Sequence, residues 1–430
     1  MTTQAQTAHA THQNTARSAG AGAVGNILEW FDFAVYGYMA QFLGPLFFPS
    51  DDPLSSLLAV YGAFAAGYLA RPLGAMVFGH LGDTLGRKFV LVASVALMGT
   101  CTVAIGLLPT AAQVGPIAGV LLVILRVLQG VSVGGEYTSS SIFIAEHAPP
   151  NRRGFYCSWV VSGAVAGFLL GSASTALLSS LYTDEEIRSV VWRVPFLAGV
   201  IIMAVGMFMR RKVGEPQLAP ATQPALQGSP VVHAFRHNII DMMRVAGLVL
   251  GVNVAFYMMF VYAVSYLTER MHVSTSTAMD INTICLVVLM IVPLHAGALS
   301  DKVGRKPLAI AALTGLVVFS YPLFWLMHHT DPTMILLGQL GFALLVGMMF
   351  GVTPAMMVEI LPRSTRVSAL GIGYNTTLAI FGGTTPLVAT ALIARTGDDF
   401  SPIYYLIAMT AVSLAVVFTL KDVTGRDLST

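Results

Sequence analysis

A ten-residue loop occurs twice in this chain, first as Gly79-His-Leu-Gly-Asp83-Thr-Leu-Gly86-Arg87-Lys88 and again as Gly297-Ala-Leu-Ser-Asp301-Lys-Val-Gly304-Arg305-Lys306. The two copies are 218 residues apart. A shorter pattern, Glu146…Pro149…Arg153, returns as Glu359…Pro362…Arg366 after 213 residues. Two loop patterns repeated at nearly the same offset indicate that the chain consists of two duplicated halves.

The composition of the surrounding sequence places these halves in a membrane. Of the 430 residues, 55% are hydrophobic and 10% are charged, whereas a soluble domain carries about 25% charged residues. Runs of about 20 apolar residues, the length that crosses a bilayer as a helix, recur along the whole chain. The composition excludes an ordinary soluble enzyme, a disordered scaffold and a nucleic-acid-binding protein.

Twelve apolar segments can be drawn, six on each side of a polar stretch near the middle of the chain. Segments 1 to 12 cover residues 20–46, 54–80, 89–108, 115–143, 155–181, 191–210, 243–268, 277–299, 307–328, 333–361, 368–394 and 402–420. The repeated loops follow the second and fourth segments of each half. We therefore predict an all-α membrane protein with 12 transmembrane helices in two six-helix halves.

The distribution of Lys and Arg predicts the orientation. Seventeen of them fall on the side that the two termini share, and four fall on the opposite side, namely Arg188, Arg193, Arg270 and Arg395. Cytoplasmic loops carry the excess of basic residues, so both termini and the repeated loops are predicted to be cytoplasmic. The predicted location is the bacterial inner (cytoplasmic) membrane.

The domain boundaries follow from the same pattern. We expect a polar tail at 1–19, the first half at 20–210, a cytoplasmic linker at 211–241, the second half at 242–420 and a tail at 421–430. Ser229 followed by Pro230 suits the start of a helix. Phe235, Ile239 and Met242 then predict a short amphipathic helix on the cytoplasmic face.

The repeated loops predict a gating function. Their glycines permit a tight turn, the aspartate can accept hydrogen bonds from a neighbouring helix start, and the Arg-Lys pair stays at the lipid–water boundary. The alternative is that the basic residues only anchor the topology. The candidate gating residues are Gly79, Asp83, Gly86, Arg87, Lys88, Glu146, Arg153, Asp301, Gly304, Arg305, Lys306, Glu359 and Arg366.

Five charged side chains are predicted to lie deep in the first half, where each costs at least about 2.5 kcal/mol. They are Glu29 and Asp32 in segment 1, Arg71 in segment 2, and Arg126 and Glu136 in segment 4. On a continuous helix, segment 4 would carry a polar stripe of Arg126, Gln129, Val133, Glu136 and Ser140. We expect the five charges to share a water-filled cavity.

This cluster predicts proton coupling through Asp32, Glu29, Arg126 and Glu136. Arginine keeps its charge, so the acid is the member of a pair that titrates in a low-dielectric site. Protonation would free Arg126 from Asp32, and the two charge states would favour different cavity openings. The alternatives are a permanent structural ion pair and, for Glu136, a structural tie between helices.

Substrate binding is predicted for eight polar side chains. They are Arg71, Arg126, Gln129, Tyr36, Asn253, Tyr257, Tyr374 and Asn375. The fixed cations suit an organic acid, and Arg193 would add attraction at the external mouth. The neutral groups of the second half are equally explained by hydrogen bonds between helices.

The repeated loop resembles the signature loop of major facilitator superfamily transporters. Further stretches resemble the metabolite–proton symporter branch: Gly25-Asn26-Ile-Leu-Glu29-Trp30-Phe31-Asp32-Phe33, Arg71-Pro72-Leu-Gly74, Arg126-Val-Leu-Gln129-Gly130…Gly134-Gly135-Glu136…Ala145-Glu146 and Trp192-Arg193-Val-Pro195-Phe196. That branch includes carriers of citrate, α-ketoglutarate, shikimate, and proline or betaine. Related sugar–proton symporters place an Asp against an Arg at positions that match Asp32 and Arg126.

The resemblance divides on the substrate. Ala379-Ile-Phe-Gly382-Gly383 is similar to citrate and α-ketoglutarate carriers, whereas Asn253-Val-Ala-Phe-Tyr257-Met and Ser158-Trp159…Ala166-Gly167-Phe168 are similar to proline/betaine carriers. We expect proton-coupled uptake of a small organic acid, such as a di- or tricarboxylate, by alternating access. A zwitterionic osmolyte is the alternative, and a non-transporting sensor on the same fold is a remote one.

Neither a nucleotide-binding loop nor a metal-ligand pattern is found, so we expect no cofactor and no enzymatic activity. The energy source is then the proton gradient. The expected partners are a small-molecule substrate, protons and the lipid bilayer, with no nucleic acid, and the chain is expected to be a monomer.

Overall fold

The computed structural model describes residues 26–27, 29–85, 87–133, 136–212, 239–363 and 366–428. Each predicted segment corresponds to one helix, labelled α1 to α12. They are α1 (29–38 and Ala40–Phe47), α2 (Pro53–Leu69 and Arg71–Leu85), α3 (Arg87–Leu107), α4 (Ile117–Ser132 and Glu136–His147), α5 (Arg153–Leu181), α6 (Arg193–Lys212), α7 (Ile239–Tyr257, Met258–Tyr262 and Ala263–Glu269), α8 (Thr275–Val303), α9 (Arg305–Met327), α10 (Pro332–Glu359), α11 (Arg366–Thr377, Leu378–Gly382 and Thr385–Thr396) and α12 (Ser401–Thr419).

Most of these helices satisfy the requirements for a membrane span. Among the described residues, nine are long and apolar enough to cross a bilayer, and a bent pair that ends in α6 makes a tenth. The apolar part of α3, Val92–Leu107, is shorter. Segment 1 begins in residues that lie outside the described chain, so only its later part, α1, can be compared.

Side-chain caps start the helices that re-enter the membrane from the predicted extracellular side. The Asp52 carboxylate accepts from the Leu54 and Ser55 N–H groups at the start of α2. Ser274 caps α8 and Asp331 caps α10 in the same way. Each cap satisfies backbone N–H groups that no carbonyl of the same helix can reach.

Helix α4 is interrupted, and the predicted continuous polar stripe is therefore wrong. Val133 has φ −116° and ψ 87°, which is not helical. Arg126 and Gln129 lie before this break and Ser140 lies after it. The side chain of Glu136 is outside the described part of the chain, so its proposed role stays a prediction.

Only the end of the predicted linker helix can be compared with the structure. Ile239 and Met242 belong to α7, which is described from Ile239 onward, four residues before the start of segment 7. The rest of that predicted helix falls within 213–238, outside the described residues, and α6 continues to Lys212. The polar tail 1–19 is likewise outside the description, so the proposed domain boundaries stay predictions.

Two helices that line the interface between the halves contain a π-helical turn. These turns are Met258–Tyr262 in α7 and Leu378–Gly382 in α11. Such turns occur mostly as single insertions, often at functional sites.

Candidate functional site

Glu29 and Arg71 form a buried ion pair between α1 and α2. Arg71 Nη2 donates to Glu29 Oε1 at 2.9 Å. The guanidinium also lies 5.1 Å from the centre of the Trp30 ring. Its Nε and Nη1 atoms are buried and have no hydrogen-bond partner among the described residues. This arginine therefore retains two N–H groups that an anionic ligand can use.

Asp32 and Arg126 do not form a direct ion pair among the described residues; two neutral side chains connect them. Thr102 donates from Oγ1 to Asp32 Oδ2 at 2.8 Å. Gln129 donates from Nε2 to Thr102 Oγ1 at 2.7 Å, and its Oε1 accepts from Arg126 Nη1 at 2.8 Å. The expected release of Arg126 from Asp32 on protonation therefore has to act through Thr102 and Gln129.

Aromatic rings surround the Arg126 guanidinium. It lies 4.2 Å from the centre of the Tyr36 ring and 4.8 Å from that of Phe33. Cation–π attraction of this kind is worth about 2 kcal/mol when the pair is desolvated. The rings thus stabilise a buried cation whose Nε and Nη2 atoms lack a hydrogen-bond partner in the described chain.

A small cavity of about 30 Å³ lies between the two halves. Its lining is mostly aromatic and apolar: Trp30, Tyr137, Val161, Ala164, Val165, Phe168, Val249, Val252, Asn253, Phe256, Tyr257, Phe350, Thr353 and Tyr374. In this closed conformation the volume holds water molecules, so an organic substrate can enter only when the two halves move apart. The indole N–H of Trp30 is buried without a hydrogen-bond partner among the described residues.

Three of the eight predicted substrate-binding residues line this cavity, namely Asn253, Tyr257 and Tyr374. The others do not. Tyr36 donates its hydroxyl to the Val60 carbonyl at 3.0 Å, and Asn375 donates to the Gly371 carbonyl at 2.8 Å. Arg71, Arg126 and Gln129 lie in the charged cluster described above.

Sequence reasoning missed two groups of residues at this site. It assigned no role to the aromatic lining Trp30, Tyr137, Phe168, Phe256 and Phe350, because apolar rings on helices usually serve packing. It also missed Thr102, a hydroxyl in the apolar segment 3. The signal that could have indicated the link is the presence of a Thr and a Gln inside the apolar segments 3 and 4.

The predicted cytoplasmic ends of the two halves are joined by buried ion pairs. Glu359 Oε1 accepts from Arg153 Nη1 at 2.9 Å, across the two halves. Glu359 Oε2 lies 3.2 Å from Arg305 Nε, and Arg305 Nη1 lies 2.7 Å from Asp301 Oδ1. Glu359 is 0% exposed. Its carboxylate is therefore held between two arginines, one from each half.

A further ion pair joins the two copies of the Glu…Pro…Arg pattern. Arg366 Nη1 donates to Glu146 Oε1 at 2.7 Å. Glu146 and Arg153 match Glu359 and Arg366 in the repeat. The glutamate of each copy therefore pairs with the arginine of the other copy, so the repeated patterns bind the halves to each other.

Asp301 and the last described residues complete this cytoplasmic contact. Asp301 accepts from the Gly154 and Phe155 N–H groups at the start of α5, each at 2.9 Å. Arg153 donates to the Arg426 carbonyl at 3.0 Å. Gly304 forms the turn that joins α8 to α9. Its φ angle is 100°, a value that favours glycine.

Further contacts join the start of α9 to the residues that follow α12. Lys306 donates to the Leu420 carbonyl at 2.6 Å, and the Arg305 N–H donates to the Thr424 hydroxyl at 2.8 Å. Residues 420–428 thus cover the ion pairs. The first copy of the loop cannot be compared, because Gly86 and the side chains of Asp83, Arg87 and Lys88 lie outside the described part. The role of Gly79 also stays a prediction.

The predicted extracellular ends are joined by neutral hydrogen bonds. Gln41 of α1 donates to Thr275 at 3.2 Å and accepts from Thr268 at 2.7 Å. Tyr61 and Ser265 share a hydrogen bond of 2.7 Å. Among the described residues, the two halves therefore contact each other at both ends of the central cavity.

Arg193 has a different role from the expected one. Its Nη1 donates to the carbonyls of Gly106 and Leu108, both at 2.7 Å, at the end of α3. A cation at a helix C-terminus satisfies carbonyls that have no partner within the helix. In this structure Arg193 therefore caps the C-terminal end of α3, and its guanidinium is used for that contact.

The crossing of α5 and α8 beside the cytoplasmic ion pairs provides a prediction. A Cβ at Gly297 would lie 2.6 Å from the Gly154 carbonyl oxygen, so Gly297→Ala must push the helices apart. Overpacking of this kind costs on the order of 1–3 kcal/mol. We expect maleimide labelling of the buried Cys157 from the cytoplasmic side to accelerate about 5- to 150-fold. Gly62→Ala, where no atom lies within 4 Å, is the control. Equal labelling in both variants would contradict the prediction.

Comparisons with known proteins agree with this architecture. The Major Facilitator Superfamily profile matches residues 23–279 and 246–429. The proline/betaine transporter of Salmonella typhimurium is 34% identical over 420 residues, covering 95% of this chain and 84% of that protein. The putative proline/betaine transporter of Staphylococcus aureus strain MSSA476 is 34% identical over 410 residues, covering 94% and 88%.

Two further likenesses extend the comparison. A Dickeya dadantii protein described as a glycine betaine/proline/ectoine/pipecolic acid transporter is 34% identical, covering 95% of this chain and 83% of its own. The proton:xylose symporter XylE bound to 6-bromo-6-deoxy-D-glucose has a TM-score of 0.77 at 18% identity, covering 97% of this chain and 98% of its own. The structural likeness shows the same fold.

Fold and sequence together define a secondary transporter of the membrane. The chain belongs to the Major Facilitator Superfamily. The predicted fold of 12 transmembrane helices in two six-helix halves is confirmed, with both termini cytoplasmic, and so is the location in the bacterial cytoplasmic membrane. The protein is a transporter and not an enzyme. Among the described residues there is no cluster of three or more His, Cys, Asp or Glu side chains that could hold a metal ion.

Proposed function

We propose that this transporter imports a zwitterionic osmolyte of the proline or betaine type together with protons. This departs from the expected di- or tricarboxylate, which finds no support in the names of the relatives. The observation that carries the proposal is the balance of buried charge beside an aromatic cavity. The cavity lies between the halves of a single chain, which supports a monomer as the functional unit.

The charge balance favours a substrate without net charge. Of the deep charges that the structure describes, Glu29 and Asp32 match Arg71 and Arg126 in number. Protonation of Asp32 would leave one uncompensated guanidinium, which suits one carboxylate. A di- or tricarboxylate would bring two or three negative charges to the same site, and burying the remainder without partners is costly.

The cavity lining favours a cationic group at the other end of the substrate. Trp30, Tyr137, Phe256, Tyr257 and Tyr374 all line the cavity. The faces of such rings attract a quaternary or secondary ammonium by cation–π interaction. The Arg71 guanidinium lies 5.1 Å from the centre of the Trp30 ring, and the unpartnered N–H groups of both residues can donate to a carboxylate.

The proposed residue roles follow this arrangement. Asp32 is the proton acceptor, with Glu29, Arg126 and Glu136 in the coupling group, and Arg71 is the carboxylate-binding residue. Asn253, Tyr257 and Tyr374 contact the substrate from the second half. Glu146, Arg153, Asp301, Arg305, Glu359 and Arg366 form the cytoplasmic gate.

The function is tested with the purified protein in vesicles under an imposed inward proton gradient. We expect accumulation of radiolabelled glycine betaine or proline, abolished by a protonophore, and no accumulation of citrate or α-ketoglutarate. Accumulation of a dicarboxylate, with none of either zwitterion, would refute the proposed substrate class. Accumulation that persists with the protonophore present would refute proton coupling.

Trp30 provides a prediction on substrate specificity. Trp30→Leu removes one aromatic face of the cavity, and a desolvated cation–π contact is worth about 2 kcal/mol. We expect the KM for glycine betaine uptake to rise about 30-fold, and we expect Trp30→Phe to recover much of the loss. Trp159→Leu, at a residue that is 37% exposed on α5, is the matched control. An unchanged KM in Trp30→Leu would exclude the aromatic cavity as the ammonium site.

A further inference from the structure

We propose that Thr102 is the positioning residue that transmits the protonation state of Asp32 to Arg126. The inference rests on the proposed proton coupling and adds a residue that the family resemblance did not indicate. The hydroxyl of Thr102 lies between an acid on α1 and an amide on α4, and it contacts both within 2.8 Å.

The Thr102 hydroxyl has two possible acceptors but only one hydrogen. Oγ1 lies 2.8 Å from Asp32 Oδ2 and 3.0 Å from the Met98 carbonyl oxygen. A hydrogen bond to an ionised carboxylate is about twice as strong as one to a neutral group. While Asp32 is ionised, the hydroxyl therefore donates to Asp32 rather than to Met98.

Protonation of Asp32 removes this preference. Asp32 Oδ1 is buried and has no hydrogen-bond partner among the described residues, so it is the free oxygen for an incoming proton. The neutral acid holds the Thr102 hydrogen less strongly, and that hydrogen can turn to the Met98 carbonyl. One O–H bond forms on Asp32, and no covalent bond breaks in Thr102.

Gln129 completes the connection. Thr102 Oγ1 accepts from Gln129 Nε2, and this fixes the amide so that its Oε1 faces Arg126. The amide has one oxygen and one NH₂ group, so the two contacts determine its orientation. When the Thr102 hydrogen turns from Asp32 to the Met98 carbonyl, the position of the Gln129 amide and its contact with Arg126 Nη1 therefore change.

The helices packed against Asp32 in the same half present few other charged or titratable groups among the described residues. Glu29 and Arg71 are already paired with each other. The Cys101 thiol on α3 lies near Asp32, and α6 presents Gly199, where a Cβ would lie 3.9 Å from Asp32 Oδ1. Within the described part of the chain, Thr102 is thus the residue whose hydroxyl contacts the Asp32 carboxylate.

The test compares Thr102→Val, which keeps the side-chain shape but lacks the hydroxyl, with Thr102→Ser, which keeps the hydroxyl. We expect Thr102→Val to lose at least tenfold in proton-driven accumulation of glycine betaine and to retain substrate exchange within threefold of the wild type. Thr102→Ser should retain at least half of the accumulation. Normal accumulation in Thr102→Val, or equal loss of exchange and accumulation in both variants, would overturn the proposal.

Infrared spectroscopy separates this inference from the proposed function, because it needs no transport. The antisymmetric stretching band of the ionised Asp32 carboxylate, recorded at a pH at which Asp32 is ionised, is assigned as the band that is missing in Asp32→Asn. We expect it to shift to higher frequency in Thr102→Val, which loses the hydrogen-bond donor, and to stay in place in Thr102→Ser. An unshifted band in Thr102→Val would refute the link even if the wild type accumulates betaine. A shifted band would support it even if the wild type does not.

Discussion

Asp32→Asn is expected to abolish proton-driven accumulation of substrate while leaving substrate exchange measurable. Asparagine keeps the size of the side chain and can still accept from Thr102, but it cannot take up a proton. Asp32 is buried, and its Oδ1 has no partner among the described residues, so no neighbouring acid in direct contact can take over its function. The variant is then a facilitator that equilibrates substrate across the membrane.

The measurement uses vesicles with an imposed inward proton gradient, alongside counterflow of radiolabelled glycine betaine without a gradient. We expect the accumulation ratio to fall to about one and counterflow to remain. Asp52→Asn is the matched control, because Asp52 is an exposed cap and asparagine is nearly as good an N-cap. Accumulation in Asp32→Asn that equals the wild type would remove Asp32 from the coupling role.

Glu359→Gln is expected to open the cytoplasmic side. Glu359 lies between Arg153 and Arg305, and its replacement leaves both guanidinium groups buried without their shared counter-charge. Removing one partner of a buried ion pair costs about 3–5 kcal/mol. The equilibrium between closed and open cytoplasmic ends should therefore shift by about 100- to several-thousandfold.

Cys157 reports this opening. It lies one helical turn after Arg153 and is 0% exposed in the closed structure. We expect its labelling by a maleimide from the cytoplasmic side to accelerate by at least 100-fold in Glu359→Gln. Peptide mass spectrometry distinguishes it from the other buried thiols, Cys101 and Cys285. Glu269→Gln, at an exposed residue on the opposite side, is the control, and equal labelling rates in the two variants would contradict the proposed gate.

The sequence could predict the helices and the repeat, because bilayer thickness sets the length of an apolar segment and the loop pattern is local. It could not predict the partners of the buried charges. Glu29 and Asp32 are three residues apart on one helix, yet within the described part of the chain Glu29 alone of the two meets an arginine directly. Which side chains meet depends on how α1, α2 and α4 pack, and the sequence of one helix does not contain that information.

The same limit applies to the gate and the cavity. The repeat identified Glu146, Arg153, Glu359 and Arg366 as equivalent pairs, but their exchange between the halves became visible only in the structure. The break at Val133 separates residues that a continuous α4 would have placed on one face. The aromatic cavity was missed because rings that bind a ligand and rings that fill a core have the same helical spacing.

The two ends of the molecule are closed by different chemistry, and this difference biases the resting conformation of the carrier. Opening outward breaks neutral contacts such as Gln41 to Thr275, each with a net value of about 1 kcal/mol. Opening inward separates Glu359 from two arginines. We therefore expect the empty carrier to favour the conformation that faces the medium.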